Sequence, residues 1–216
     1  ANNGDGTLTA AAVTVTTDNS NGITLITNRG TGGLNDIQLG AVTAGTTSAV
    51  ITLASYNDIL DGDGAVDLTA YGLLLEANGS IGTSSDYVDT SVSTIDDRSA
   101  SANVHNSIYI NESDGVNLGA LNGLTTDRGD IRVTAGGTLT ASSVTAGDAG
   151  DVYLTTGSGD IAVGLITALD DDVYLNAAGS ITDGDAAVDI LADRLYLTAG
   201  ADVGADACEE FLVEPE

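Results

Sequence analysis

Short apolar-x-apolar triplets return along this chain at a fixed step. Ile131-Arg132-Val133, Val152-Tyr153-Leu154, Val173-Tyr174-Leu175 and Leu195-Tyr196-Leu197 follow one another about 21 to 22 residues apart. Period-two alternation places Val152 and Leu154 on one face of a strand and Tyr153 on the other. The inward pair then stacks on Ile131 and Val133 below and on Val173 and Leu175 above, while Tyr153, Tyr174 and Tyr196 form an outward ladder. Weaker strand signals fall between the triplets, over 139–144, 161–166 and 181–190, so each step predicts about three short strands separated by turns. Parallel strands ordinarily need a helical crossover. Coiling the chain removes that need, and the pattern predicts an all-β fold, a parallel β-helix of about 21 to 22 residues per coil. About ten coils at roughly 4.8 Å each predict a rod roughly 50 Å long.

A longer repeat overlies the short one. Residues 51–82 are written again at 173–204 without a gap, so that Leu53, Ile59, Asp61, Gly62, Asp63, Asp67, Leu75 and Gly82 recur as Leu175, Ile181, Asp183, Gly184, Asp185, Asp189, Leu197 and Gly204. The shared unit extends upstream, with 6–82 matching 137–204. Small insertions rich in Asn, Gly, Ser and Thr lie in the first copy at 18–21, 28–33 and 46–48, and these compositions belong at turns. The middle, 83–127, is less regular. It still supplies strand patterns at 88–95, 108–110 and 116–118, with an excursion around 96–106. The expectation is a single β-helix over residues 1–216.

Composition agrees with a narrow, regular interior. Hydrophobic residues make up 42% of the chain, yet there is one Phe and no Trp or Met, and 28 Gly stand against one Pro. Irregular cores use large aromatic side chains to fill space. A lumen of stacked Val, Ile, Leu and Ala does not require them.

Charge narrows the partners. Thirty-two Asp and Glu oppose five Arg, with no Lys, for a net charge of −27. Such a polyanion is repelled by nucleic acid and by anionic membrane surfaces, and no run approaches the roughly 18 apolar residues of a membrane-spanning helix. Divalent cations are attracted instead. The chain opens Ala1-Asn2-Asn3-Gly4 with neither Met nor a signal region, and the ends offer no capping helix. These features predict an excised or processed chain whose ends pair with further coils, by self-association end to end.

Candidate chemistry is confined to carboxylates. Asp61, Asp63 and Asp67, their counterparts Asp183, Asp185 and Asp189, and the run Asp170-Asp171-Asp172 offer oxygen ligands to calcium, the one cofactor the sequence suggests. No bidentate Glu follows at the EF-hand spacing and no Gly-Gly-x-Gly-x-Asp tract is present, so turn formation by Asp and Gly is the competing explanation. Arg128-Gly129-Asp130 spells a receptor-recognised tripeptide, but Gly129-Asp130-Ile131 also matches Gly150-Asp151-Val152 and Gly159-Asp160-Ile161, which open other strands. His105 and Cys208 are each the sole residue of their type and lie far apart in sequence, so no nucleophile–base pair or zinc set is assembled. The five arginines do not cluster to grip an anionic sugar. The sequence predicts no enzyme.

The cadence GTLT…VTAG…GDVYLTTGSGDI…DVYLNAAGSITDGD…LYLTAG…VG resembles the large β-strand-repeat exoproteins of the filamentous-haemagglutinin type, found among two-partner-secreted and autotransporter-like bacterial adhesins. The resemblance covers nearly the whole chain. It implies a secreted or bacterial cell-surface protein built as a right-handed β-helical shaft for adhesion, fibre building or biofilm cohesion. The expected function is therefore structural and adhesive, with a calcium-dependent module binding a surface glycan as the alternative and a polysaccharide-degrading enzyme as a third.

Overall fold

A computed structural model describes residues 8–14, 21–27, 35–99, 106–183, 187–204 and 213–214. Among them every regular element is a β-strand, and the named strands pair in parallel within a 13-stranded and an 8-stranded sheet. The strands wind into a β-solenoid in which nine levels stack from Leu8 to Leu195. This is close to the ten expected, and the small difference arises because several coils spend more residues per turn than the regular upper ones. The step from Ile81 to Ile108, for example, is longer than that from Ile131 to Val152.

The interior consists of columns of like residues. Leu8, Ile37, Ile59, Ile81, Ile108, Ile131, Val152, Val173 and Leu195 stand one above another in the larger sheet. Ile23, Ile51, Leu73, Ile95, Leu118, Ala141 and Val163 do so in the smaller one. Most of these side chains are completely buried. Each large aliphatic one withdrawn from water contributes about 1.5–3 kcal/mol. The alternation read from the triplets is present throughout the upper coils, with Val152 and Leu154 buried and Tyr153 between them half-exposed.

A third line of strands begins part-way up. Leu124–Thr126, Val144–Ala146 and the first residues of Ile166–Ala177 and Ile190–Ala199 stack on each other, and Val213 continues the line above Ile190. Below Leu124 this line has no member among the described residues. In its place the first copy of the repeat runs Ile59–Leu60, a loop over 61–67, and Leu68–Thr69, with both short strands pairing onto the single strand Ile37–Thr43. The loop therefore interrupts one strand of the larger sheet.

The two copies of the long repeat occupy different sheets. Val50–Ser55 and Gly72–Ala77 belong to the smaller sheet, whereas their counterparts in Ile166–Ala177 and Ile190–Ala199 belong to the larger; Ile59 and Ile181 are exchanged the other way. The exchange occurs in the irregular middle. There the predicted strand 88–95 resolves into Val88–Ser91 in the larger sheet and Thr94–Asp97 in the smaller, and the excursion begins only after Asp97. Above it Ile108–Glu112 runs straight through without the loop that interrupts the coil at 61–67.

Candidate metal centre

Asp61 and Asp67 flank the interrupting loop and Asp63 stands at its tip. Asp67 is anchored on both sides, its carbonyl accepting from Val42 N (2.6 Å) and its N–H donating to Asp89 O (2.9 Å). The Asp61 carbonyl accepts from Gln38 Nε2 in the coil below. Within the loop, Asp61 Oδ1 accepts from Asp63 N (2.7 Å) and Asp63 Oδ1 from Ala65 N (2.8 Å), the Asx-type turns expected of these residues. Gly62 is required because a Cβ there would lie 2.2 Å from Leu39 O of the coil below.

These constraints bring three carboxylates together. One oxygen from each of Asp61, Asp63 and Asp67 lies within 4.8 Å of the others. Asp61 is 7% exposed and Asp67 2%, and neither Asp61 Oδ2 nor either oxygen of Asp67 has a hydrogen-bond partner. At such a separation two ionised carboxylates repel by about 3 kcal/mol at an effective dielectric of about 20. Burial, then the charge of Asp61, push the Asp67 carboxyl up to about 8; burial also raises Asp61. The pocket thus calls for a positive occupant, either a proton shared by the two buried acids or a cation.

The second copy is different in what it displays. Asp189 is fully buried and Asp183 half-buried, both with interactions of their own, while Asp185 lies outside the described residues. His105 and Cys208 lie outside them as well. Among the described residues Asp170, Asp171 and Asp172 do not converge on one point, whereas the first-copy aspartates do. Asp172 Oδ2 accepts from Tyr174 Oη (2.9 Å), as Asp151 Oδ2 does from Tyr153 Oη (2.7 Å).

Other aspartates are committed to stacking. Asp130 Oδ1 accepts from Asp151 N (3.2 Å), and Asp151 Oδ1 from Asp172 N (3.0 Å); lower down, Asp36 serves Asp58 N and Asp58 serves Ser80 N in the same way. Asp130 Oδ2 is held by Arg132 (2.9 Å), so the carboxylate of Arg128-Gly129-Asp130 is already engaged by its own shaft. The guanidinium of Arg132 lies 3.6 Å from the Tyr153 ring centre, and Tyr153, Tyr174 and Tyr196 stack at 4.5 Å spacing, which is the outward ladder expected.

Besides Asp36, three buried acids lie outside the expected set. Asp96 Oδ1 accepts from Leu121 N and Asn122 N, Asp97 accepts from Thr125, and Glu112 Oε2 accepts from Thr90 Oγ1 and Val92 N. All are almost completely buried. Burial raises Asp97 to about 7 against the opposing Thr125 hydrogen bonds, and raises Glu112 in the same direction. Their register was the available signal: Asp97 continues the column Leu53–Leu75, and Glu112 lies between Thr90 and Ala135. Asp96 and Asp97 tie the smaller sheet to the segment that starts the third line of strands.

Comparison with known protein families, with curated proteins and with solved structures gives no match.

Proposed function

We propose that this chain is a structural and adhesive element outside the cell, a β-helical shaft of a bacterial surface fibre or biofilm matrix whose coils stack on further coils. The observation that carries this reading is the state of the uppermost coil. Leu195, Leu197 and Ala199 are only partly buried, although the residues beneath them in the same columns are completely covered, and Val203 above Ile181 is 47% exposed. Val213 continues the third line on Ile190, so the register is set for another layer. In a stacked architecture each coil is stabilised mainly by its two neighbours, and an incompletely covered coil favours one more. The resemblance of the cadence to that of filamentous-haemagglutinin-type exoproteins supports an extracellular location, and the acidic composition disfavours nucleic acid and anionic membranes as partners.

Electron microscopy of the purified chain tests the reading. Uniform fibres many times longer than the roughly 43 Å that nine stacked levels span are the expected result. Single short rods at every concentration would refute end-to-end assembly of the chain by itself.

A further inference from the structure

We propose that Asp61, Asp63 and Asp67 form a binding site for one calcium ion that joins the two halves of the interrupted strand. The proposal is independent of fibre formation. A run of acids in a loop is by itself only turn chemistry, and here the turn uses neither oxygen of Asp67 and only Oδ1 of Asp61. Both oxygens of Asp67 and Oδ2 of Asp61 are unpartnered, on side chains more than nine-tenths buried, and they face the same point as Asp63. Leaving such groups without a partner is costly, and the cost is greatest for a charge.

The geometry selects the class of ligand. Calcium holds its oxygens at about 2.3–2.6 Å, so its coordination shell is about 5 Å across and encloses oxygens within 4.8 Å of one another. Three carboxylates and no nitrogen or sulfur ligand suit a hard cation and not zinc or copper. Asp63 is exposed at the loop tip, which leaves solvent access for the waters that complete the shell. Magnesium fits less well, because it demands a near-octahedral cage and the loop fixes only its two ends.

The ligands are placed to act on the fold. Asp61 directly follows Ile59–Leu60 and Asp67 directly precedes Leu68–Thr69, so one ion held by both closes the gap in the strand. Asp61 and Asp67 are each hydrogen-bonded through their carbonyls to the coil below, at Gln38 and Val42, so the ion also clamps adjacent coils. A shared proton would relieve the repulsion between Asp61 and Asp67 without involving Asp63.

Isothermal titration of the metal-free chain with calcium chloride at 150 mM NaCl, alongside Asp63→Asn, Asp67→Asn and the exposed control Asp148→Asn, separates these accounts. Salt suppresses the diffuse binding that a polyanion offers any cation. The expected result is one calcium per chain above that background, with affinity lowered at least tenfold in Asp63→Asn and Asp67→Asn and unchanged in Asp148→Asn. Asp63→Asn keeps the hydrogen bond to Ala65 N and lies at an exposed position, so it keeps the comparison valid if Asp67→Asn fails to fold. Weak binding equal in all four proteins, or a loss confined to Asp67→Asn while Asp63→Asn binds as the parent does, would overturn the site and leave the proton-sharing pair.

Discussion

The chain writes the same 32-residue pattern twice, at 51–82 and 173–204, and the two copies do not share a fate. Locally they agree. Ile59 and Ile181 are both fully buried, and the glycine that ends each copy has the same left-handed backbone, φ 65° at Gly82 and 68° at Gly204. Globally they diverge. The strands of the first copy lie in the opposite sheets from those of the second, and Leu73 and Leu75 are sealed by a coil above while Leu195 and Leu197 are only partly covered. A repeat therefore encodes the shape of one coil, and its stability comes from the coils that happen to lie on either side.

The largest test of that distinction is a matched truncation. Leu75→Ala empties a fully buried site and is expected to cost about 3 kcal/mol, whereas in the unassembled chain Leu197→Ala, the same position of the pattern, costs about half as much. Chemical denaturation midpoints measure the difference, and Ile59→Ala against Ile181→Ala serves as the control pair that should lose equally. Equal losses at Leu75 and Leu197 would mean that the upper coil is covered in solution.

The seam between the copies is tested by pH. Asp97 has its carboxyl raised from 3.8 to about 7, so the folded chain keeps a proton that the unfolded chain releases. Its contribution is fully favourable below about pH 4, declines as pH rises, and is lost above about pH 7, an effect bounded by about 4 kcal/mol. Thermal melts should therefore show the parent gaining stability as pH falls from 8 to 5, and Asp97→Asn should show a shallower slope. An identical slope in the variant would remove Asp97 from the account.

A smaller effect is expected at the closing glycines. At Gly82 an added Cβ meets both the left-handed φ and Tyr109 O at 2.6 Å, so Gly82→Ala should cost about 2 kcal/mol or more. Gly204→Ala should cost about 1 kcal/mol for its left-handed φ. The smallest effect belongs to the outward face, where the second copy has Tyr174 and the first Thr52. Tyr174→Phe keeps the ring stack and loses the hydrogen bond to Asp172, while Tyr174→Ala loses both; differential scanning calorimetry should rank them in that order within a few degrees.

Much of this was legible before any coordinates. The triplet at Val152-Tyr153-Leu154 fixes which side chains face inward, and its recurrence fixes what stacks on them, because period two and a constant step leave no other arrangement. Asp61, Asp63 and Asp67 were named from the sequence, but only beside Asp183, Asp185 and Asp189 and the run Asp170 to Asp172, and the pattern did not single out the set that converges. The exchange of sheets was not legible either. Sequence similarity reports local turns and strands, whereas the lateral neighbour of a strand depends on how many residues the preceding coil consumes, and the irregular segment 83–127 alters that number. The buried Asp96, Asp97 and Glu112 escaped for a related reason: an acid in a weakly patterned stretch reads as surface until its column, Leu53 to Leu75 to Asp97, is traced vertically.

Four aspartates that reach from coil to coil point the same way, whereas Glu112 reaches back to Thr90 and Val92 of the coil below. Asp36 to Asp58, Asp58 to Ser80, Asp130 to Asp151 and Asp151 to Asp172 each present an acceptor upward to an N–H of the following turn. The shaft consequently has an arrow. A chain that folds as it emerges N-terminus first leaves a waiting acceptor at the top of each layer that carries one of these aspartates, ready for the N–H of the next.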